Sequence, residues 1–254
     1  YEGLNAQRPV YQAGTGKSVL SADAPFQSGV AAMALDARTN RLFFTPMQID
    51  QLRYIDLNTW KTYYVSATPF ANNRTTTTDA GAMVTRMTIG ADGYGYALTN
   101  DARHLIRFTT GGLPVIEDLG TLVDDPANDG QSIHLSCTSF GGDMIADDKG
   151  NLFIMTSAQH IFRINIQSKV ATHLGLLKGL PVGYSINGMA VTDNNQIALA
   201  SVTTKKEVDQ LVAGNMDSKI TRGWRNEMIG RHLVQFLQGK TSLSCRDGKL
   251  VYNE

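Results

Sequence analysis

A pattern repeated along the chain constrains its fold more than any other feature of the sequence. In each copy, a short apolar stretch led by a methionine precedes a polar turn rich in Asp, Asn and Gly, and a second apolar stretch follows. Such turn residues tolerate positive φ angles, so each copy predicts a β-hairpin. The methionines that lead the four copies are Met33, Met87, Met144 and Met189.

Three of the four hairpins are followed by two more stretches that predict strands. The third strand of each unit is predicted at Leu52–Asp56, Leu105–Phe108 and Ile161–Ile164. The fourth strand is predicted at Thr62–Val65, Val115–Leu119 and Val170–Leu174. Successive leading methionines are 54, 57 and 45 residues apart. Four strands over roughly 40–50 residues is the size of one propeller blade.

Burial explains why such units would pack side by side. A four-stranded sheet has two faces to cover, and blades arranged around an axis cover each other. We therefore predict an all-β fold, a β-propeller of four-stranded antiparallel blades with a partly helical C-terminal segment. A two-sheet sandwich, whose short strands give a similar pattern, is the competing fold.

The composition restricts the class of partner. The chain has 254 residues, of which 42% are hydrophobic, and its 23 basic residues balance 23 acidic ones. Proteins that bind nucleic acids or acidic lipids usually carry an excess of positive charge. Because the charges of this chain balance, we expect no nucleic-acid partner. No apolar run approaches the roughly 18 residues of a membrane span. Pro9–Gln12 has the character of a strand from the chain start that could close the ring.

The chain after residue 203 departs from the repeat, so we divide it into propeller-type repeats at 1–203 and a different segment at 204–254. Helical spacing is predicted from Thr204 to Gly214, and a hairpin around Asp247-Gly248. A second helical stripe, suited to docking a partner, includes Trp224, Met228, Leu233 and Phe236. The segment is a cap on one propeller face, part of a further, incomplete domain, or a stretch that does not directly follow the repeats in the protein, and we favour one of the last two interpretations.

The two cysteines of the sequence do not decide whether the chain contains a disulfide. The chain has two cysteines, Cys137 and Cys245. Their spacing fits a single disulfide and also fits two buried thiols. The sequence begins at Tyr1 without a signal peptide, as a mature exported protein also would.

Two of the repeats resemble a known group of propellers. The stretches Ile186–Val191 and Gly142–Phe153 are similar to the blade of the NHL-repeat and regucalcin/gluconolactonase-like group, and the resemblance extends from Gly29 to Ser201. It implies a propeller architecture and a place outside the cytoplasm, whether secreted, periplasmic or on the cell surface.

The resemblance also implies where a metal would lie. In the gluconolactonase-like enzymes, Glu, Asn and Asp side chains from separate blades bind a divalent metal at the mouth of the central channel. Asn187 matches one of these positions, and Ala32, Arg86 and Asp143 are aligned with it here. An arginine beside the axis would oppose a cation, and the Glu-Gly-Pro entry motif of the family is absent.

We therefore interpret the chain as a non-catalytic binding or scaffolding module, without a cofactor, that recognises a protein or a glycan through one propeller face. Two alternatives stay open: a metal-dependent lactonase with calcium on Asn187 and Asp143, and a subunit of a larger envelope assembly docked through the C-terminal helix. The binding residues are expected in the loops before the first strands and are Arg86, Ser139, Phe140, Asp143, Tyr184 and Asn187.

Overall fold

The computed structural model of the chain describes residues 9–20, 30–47, 49–66, 68–71, 79–178, 180, 185–191, 196–202, 242–246 and 249–253. These residues form an all-β structure whose helical content is one short α-helix and one 3-10 turn. The predicted helices between Thr204 and Leu237 lie outside the described residues. Among those that are described, no helix has the length and apolarity of a membrane span.

The strands follow the chain in groups that correspond to the repeats. The first sheet holds β1 (Pro9–Gln12), β2 (Ser18–Leu20), β3 (Val30–Asp36), β4 (Arg41–Pro46), β5 (Arg53–Asp56) and β6 (Lys61–Tyr64). The second holds β7 (Val84–Ile89), β8 (Tyr94–Thr99), β9 (Leu105–Thr109) and β10 (Ile116–Gly120). The third holds β11 (Val123–Asp124), β12 (Asp143–Ala146), β13 (Asn151–Met155), β14 (His160–Asn165) and β15 (Val170–Leu176).

Two hairpins and two helical turns complete the described structure. β16 (Ser185–Val191) pairs with β17 (Ile197–Val202), and β18 (Ser242–Arg246) pairs with β19 (Lys249–Asn253). A 3-10 turn (Pro126–Asn128) and the helix α1 (Ser136–Ser139) lie between β11 and β12. The hairpin predicted near the C-terminus is therefore present at β18–β19.

Four consecutive antiparallel strands form the body of each of the first three sheets. The strand orders β6-β5-β4-β3, β10-β9-β8-β7 and β15-β14-β13-β12 are those expected from hairpin-connected units. The turns between first and second strands use the predicted acidic residues, since Asp92 accepts a hydrogen bond from the Tyr94 amide and Asp147 accepts one from the Lys149 amide. These Asx interactions explain why Asp recurs at the turns.

The second sheet is buried on both of its faces. Met87, Ala97 and Phe108 pack in a core with the first sheet, whereas Tyr96 and Leu98 pack in a core with the third sheet. A smaller core that includes Met155, Ile186 and Met189 joins the third sheet to the β16–β17 hairpin. In a sandwich each sheet is covered on one face only. The two-faced burial of the second sheet therefore contradicts the sandwich alternative.

The first strands of successive units lie side by side. β3 packs against β7, β7 against β12, and β12 against β16. Such an order, in which neighbouring sheets meet along their first strands, is typical of blades around a propeller axis. The loops that precede these strands therefore share one end of the structure, here called the entry end. The turns between first and second strands share the other, here called the hairpin end.

A parallel strand covers the outer edge of two of the sheets. β1 pairs in parallel with β6, and β11 pairs in parallel with β15. The Pro9–Gln12 segment, predicted to close a ring, is thus a strand on the outer edge of the first sheet. Open sheet edges invite pairing with other chains, so both additions protect an edge.

Candidate binding site at the entry end of the sheets

Arg86 and Ser139 are the most buried of the predicted site residues that the structure describes. Arg86 lies in β7, and its side chain has no exposed surface. Its guanidinium donates to the carbonyl oxygen of Gly141 from Nε at 3.1 Å and from Nη2 at 3.0 Å, and Nη2 also donates to the carbonyl oxygen of Ser139. Burial lowers the pKa of Arg86 to about 10, so the side chain stays charged at neutral pH. Arg86 therefore holds the loop before β12 and cannot itself contact a partner.

Asp143 joins three successive first strands through its carboxylate. Oδ1 accepts a hydrogen bond from the Met144 amide at 2.8 Å, and Oδ2 accepts one from the Met189 amide at 2.9 Å. Burial raises the pKa of Asp143 to about 7, although the amides of Met189, Met144 and Met87 and the charge of Arg86 act in the opposite direction. Each of these amides belongs to a methionine that leads a repeat. The carboxylate thus connects the second sheet, the third sheet and the β16–β17 hairpin.

Asn100, which is not among the predicted site residues, connects the same loops. Its Oδ1 accepts hydrogen bonds from the Gly141 amide at 2.9 Å and from Thr85 Oγ1 at 2.6 Å. Its Nδ2 donates to the carbonyl oxygen of Ala80 at 2.8 Å. All its polar atoms are used within the protein, as expected of a buried amide. The only signal in the sequence was an asparagine directly after the second strand of a repeat.

The loop Ser139–Gly142 is the part of the entry end that these contacts hold most firmly. The backbone oxygen of Phe140 accepts a hydrogen bond from Ser157 Oγ at 2.7 Å. Gly142 has φ +79°, and a Cβ there would lie 1.9 Å from the carbonyl oxygen of Met155. Only glycine fits this place. The ring of Phe140 is half-buried, and it lies beside Gly81. The loop therefore presents an aromatic ring on a fixed backbone.

The strand register corrects the alignment of Asn187 with Arg86 and Asp143. Arg86 pairs with Leu98 and Asp143 pairs with Met155, one place before the leading methionine in each case. Asn187 instead lies at the bulge of β16, where the register shifts between Ile186 and Gly188. Its equivalent in the second sheet is the bulge residue Thr85. The misalignment is one residue, because Asn187 stands two places before Met189, whereas Arg86 and Asp143 stand immediately before their methionines.

The remaining predicted residues fall in different places. Ser139 is buried at the end of α1, and its hydroxyl donates to the carbonyl oxygen of Ser132. Asn187 is half-buried. Tyr184 and the docking residues lie outside the described residues, and these docking residues are Trp224, Met228, Leu233 and Phe236.

Cys137 lies next to the entry-end loop, in α1, and it is disulfide-bonded. The alternative of a free buried thiol is therefore wrong for this residue. Cys245, the other cysteine of the chain, belongs to β18, and α1 contacts the same hairpin through β19. That Cys137 pairs with Cys245 stays a prediction.

Asp143, one of the two metal ligands expected under the lactonase alternative, already has partners for both carboxylate oxygens. In the part of the chain that is described, no group of three or more His, Cys, Asp and Glu side chains is placed to hold a metal ion. Both oxygens of Asp143 accept backbone amides, and the positive charge of Arg86 is close enough to affect its pKa. A carboxylate in these surroundings is a poor ligand for a hard cation, which prefers several oxygen donors.

Comparisons with known proteins reveal distant similarities to solved β-propeller structures. One is a catalytically inactive variant of virginiamycin B lyase from Staphylococcus aureus with quinupristin; the identity is 17%, the match covers 69% of this chain and 50% of that one, and the TM-score is 0.42. Another is the extracellular domain of the hybrid two component system BT4673 from B. thetaiotaomicron, with 18% identity, 75% and 22% coverage, and a TM-score of 0.41.

A third similar structure is the Cps50 (Swd1) β-propeller domain of Myceliophteria thermophila, with 10% identity, 68% and 48% coverage, and a TM-score of 0.40. The chain spans half or less of the length of these three structures. No protein-family model matches the chain, and no curated protein sequence does.

Proposed function

We propose that the chain is a propeller-type binding module that recognises a protein or a glycan at the entry end of its sheets. In this proposal the first three sheets are four-stranded blades and β16–β17 begins a fourth. The observation that carries it is the use of Arg86 and Asp143 as internal fasteners. Their polar atoms bind backbone groups of neighbouring units, so the two charges build the platform rather than react on it.

A fixed loop with one aromatic ring is well suited to recognition. Binding costs less when the surface is already ordered, because little conformational entropy is lost on association. Phe140 provides an apolar contact, and the half-buried amide of Asn187 lies in the neighbouring unit at the same end. Aromatic rings flanked by polar groups serve both protein hot spots and sugar stacking. We therefore place Phe140 and Asn187 in the recognition surface, with Arg86 and Asp143 beneath it.

The proposed location is outside the cytoplasm. Cys137 is disulfide-bonded, and stable disulfides form in oxidising compartments such as the periplasm and the cell exterior. This supports an exported or envelope-associated module.

The experiment uses two probes, because the partner class is open. The full chain is applied to an array of purified glycans and to a display library of random peptides, and the affinity of the best binder from either source is measured. Phe140→Ala and Asn187→Ala should each weaken that binder at least tenfold. Trp60→Ala is the matched control, since Trp60 is 54% exposed in the turn between β5 and β6, which lies beside the β3–β4 turn at the hairpin end.

The two outcomes are distinct. Loss of binding in Phe140→Ala, with full binding in Trp60→Ala, supports the entry end as the recognition surface. An unchanged affinity in Phe140→Ala and Asn187→Ala together with a loss in Trp60→Ala would place recognition at the hairpin end and overturn the proposal.

The enzyme alternative rests on one observation. A pKa of about 7 is suited to a general base, and Asp143 has that value because of its burial. Elemental analysis of the purified chain, together with a lactone-hydrolysis assay of Asp143→Asn, tests it. A stoichiometric divalent ion and a hydrolysis rate that depends on Asp143 would favour the enzyme over the binding module.

A further inference from the structure

A second cluster of titratable side chains lies away from the entry-end site, on the outer strands of the third sheet. His160 begins β14 and His173 belongs to β15. Nδ1 of His160 is 3.0 Å from Nε2 of His173, and the ring centroids are 5.1 Å apart. Phe162 packs beside both rings. Both histidines are half-buried, so water and small ions reach them.

A β-bulge produces this pairing. The register between β14 and β15 shifts between Ile161 and Phe162, so that Leu174 is the extra residue and Gly175 follows with φ +126°. The shift turns His173, which pairs with Phe162, toward the residue at the start of β14. Bulges commonly re-aim a side chain in this way. In addition, the amide of His173 donates to Asn128 Oδ1 at 2.7 Å, which fixes its backbone.

The second sheet has an equivalent bulge, which brings a different pair of side chains together. Its register shifts between Asp118 and Gly120, and Gly120 also has a positive φ, of +84°. There Nδ1 of His104 lies 2.7 Å from Asp118 Oδ2. The same backbone device thus brings together an imidazole and a carboxylate in one unit and two imidazoles in the next. Of these two described sheets, only the third has two nitrogen ligands at this position.

A change of tautomer alone, without loss of a proton, can leave both facing imidazole nitrogens free of hydrogen and able to bind one metal ion. Burial, together with the neighbouring His173, lowers the pKa of His160, which favours the neutral ring. A neutral imidazole carries its single proton on either nitrogen. With both protons on the far nitrogens, two lone pairs would face each other across the 3.0 Å gap. Metal–nitrogen bonds of about 2.0–2.1 Å at ordinary bite angles separate two ligand nitrogens by about 2.9–3.4 Å.

We propose that His160 and His173 form a two-histidine site for an exchangeable divalent transition-metal ion, with Cu²⁺ preferred over Ni²⁺ and Zn²⁺. Imidazole ligands suit these ions, and the preference follows the usual order of stability of their complexes. In the described part of the chain no third His, Cys, Asp or Glu joins the pair, so water completes the coordination. The ion would clamp the third strand of the sheet to the fourth, across the bulge.

The test titrates the full chain with CuCl₂ at pH 7.5 by calorimetry. His160→Gln and His173→Gln each remove one nitrogen ligand, and His104→Gln removes the histidine at the equivalent place in the second sheet. The original chain and His104→Gln should both bind one equivalent of Cu²⁺ at this site. Each of the other two variants should lose that equivalent or bind it at least tenfold more weakly.

Electron paramagnetic resonance of the Cu²⁺-loaded original chain gives a readout that does not depend on the folding of any variant. Two equatorial imidazole nitrogens should appear in its hyperfine pattern. Absence of Cu²⁺ binding overturns the proposal, as does a spectrum without nitrogen ligands. Full stoichiometry and affinity in both His160→Gln and His173→Gln would also overturn it.

Discussion

The guanidinium of Arg86 donates two hydrogen bonds to the carbonyl oxygen of Gly141, at 3.1 and 3.0 Å, across a sequence separation of 55 residues. The contact joins the first strand of one sheet to the loop that leads into the next. It places a buried charge where the two units meet. Hydrogen bonds to the surrounding backbone carbonyls replace those that the guanidinium would make to water. Removal of such a group leaves acceptors without donors, which is among the more damaging changes in a core.

Arg86→Met should destabilise the chain by about 3 kcal/mol, because the carbonyl oxygens of Ser139 and Gly141 would lose their donors in a dry place. Urea unfolding followed by circular dichroism measures the change. Arg103→Met is the control, since Arg103 is largely exposed and its nearest carboxylate atom is 3.7 Å away. That control should change the stability by less than about 0.5 kcal/mol. Equal effects of the two substitutions would show that the Arg86 contacts are unimportant.

Asp143 should make the stability of the chain depend on pH. Its pKa is raised from 3.8 to about 7 in the folded protein, so folding favours the protonated form. Its contribution is therefore fully present below about pH 4 and is lost as the pH rises to about 7. The slope is at most about 1.4 kcal/mol per pH unit, and less because the residue as a whole is only half-buried.

Asp143→Asn should flatten this profile. Asp143 accepts hydrogen bonds from two backbone amides, and in the asparagine variant the side-chain NH₂ group would face one of these donors. Because that hydrogen bond is lost, the variant should be less stable by about 1–2 kcal/mol at pH 5. Urea unfolding between pH 4 and 8 measures both effects. Asp148→Asn, at an exposed turn of the hairpin end, should keep the original profile. An unaltered slope in Asp143→Asn would assign the pH dependence to another group.

Gly142→Ala and Gly150→Ala form a matched pair that separates lack of space from backbone strain. Both glycines have φ near +80°, but a Cβ at position 142 would lie 1.9 Å from a backbone oxygen, whereas at position 150 it meets nothing within 4 Å. Gly150→Ala should cost about 1 kcal/mol from strain alone. Gly142→Ala should lower the stability by clearly more than this and should displace the loop Ser139–Gly142. Thermal melts compare the stabilities of the two variants, and similar melting temperatures would contradict the expected difference.

Reduction should destabilise the chain through Cys137. We predict Cys245 as its disulfide partner, so that peptide mapping without reduction should recover one peptide containing both residues. Closing so long a loop constrains the unfolded chain, and the bond should contribute about 3–4 kcal/mol. Dithiothreitol should lower the melting temperature of the original chain and leave Cys245→Ser unaffected. A disulfide-linked dimer on a non-reducing gel would instead show that Cys137 pairs between copies.

The repeat was the part of the fold that the sequence could reveal. Hairpins and third and fourth strands depend on local alternation and turn residues, and the strands were predicted to within one or two residues at most ends. Val170–Leu174, for instance, is a strand that continues to Leu176. Burial of the second sheet on both faces followed from the same pattern, since Ala97 and Leu98 are adjacent apolar residues that point to opposite faces.

The candidate site was harder to predict, because its contacts join residues that are distant in the sequence. Arg86 and Asp143 were identified by their position before a methionine, yet their role as internal fasteners depends on carbonyls and amides of other units. Asn187 was misaligned by one residue, and the strand register shows that its equivalent in the second sheet is the bulge residue Thr85 rather than Arg86. Asn100 escaped notice for a simpler reason: one asparagine after a strand is typical of any turn.

The parallel pairing of β11 with β15 has a consequence for how the chain is made. Val123 leaves the ribosome well before Val170, its partner in the ladder, and three other strands of the same sheet are synthesised in between. The third sheet therefore cannot be finished from its N-terminal portion alone. A nascent chain halted between these two residues would expose an unmatched strand, so translation through the whole unit is what protects it from strand exchange with other nascent chains.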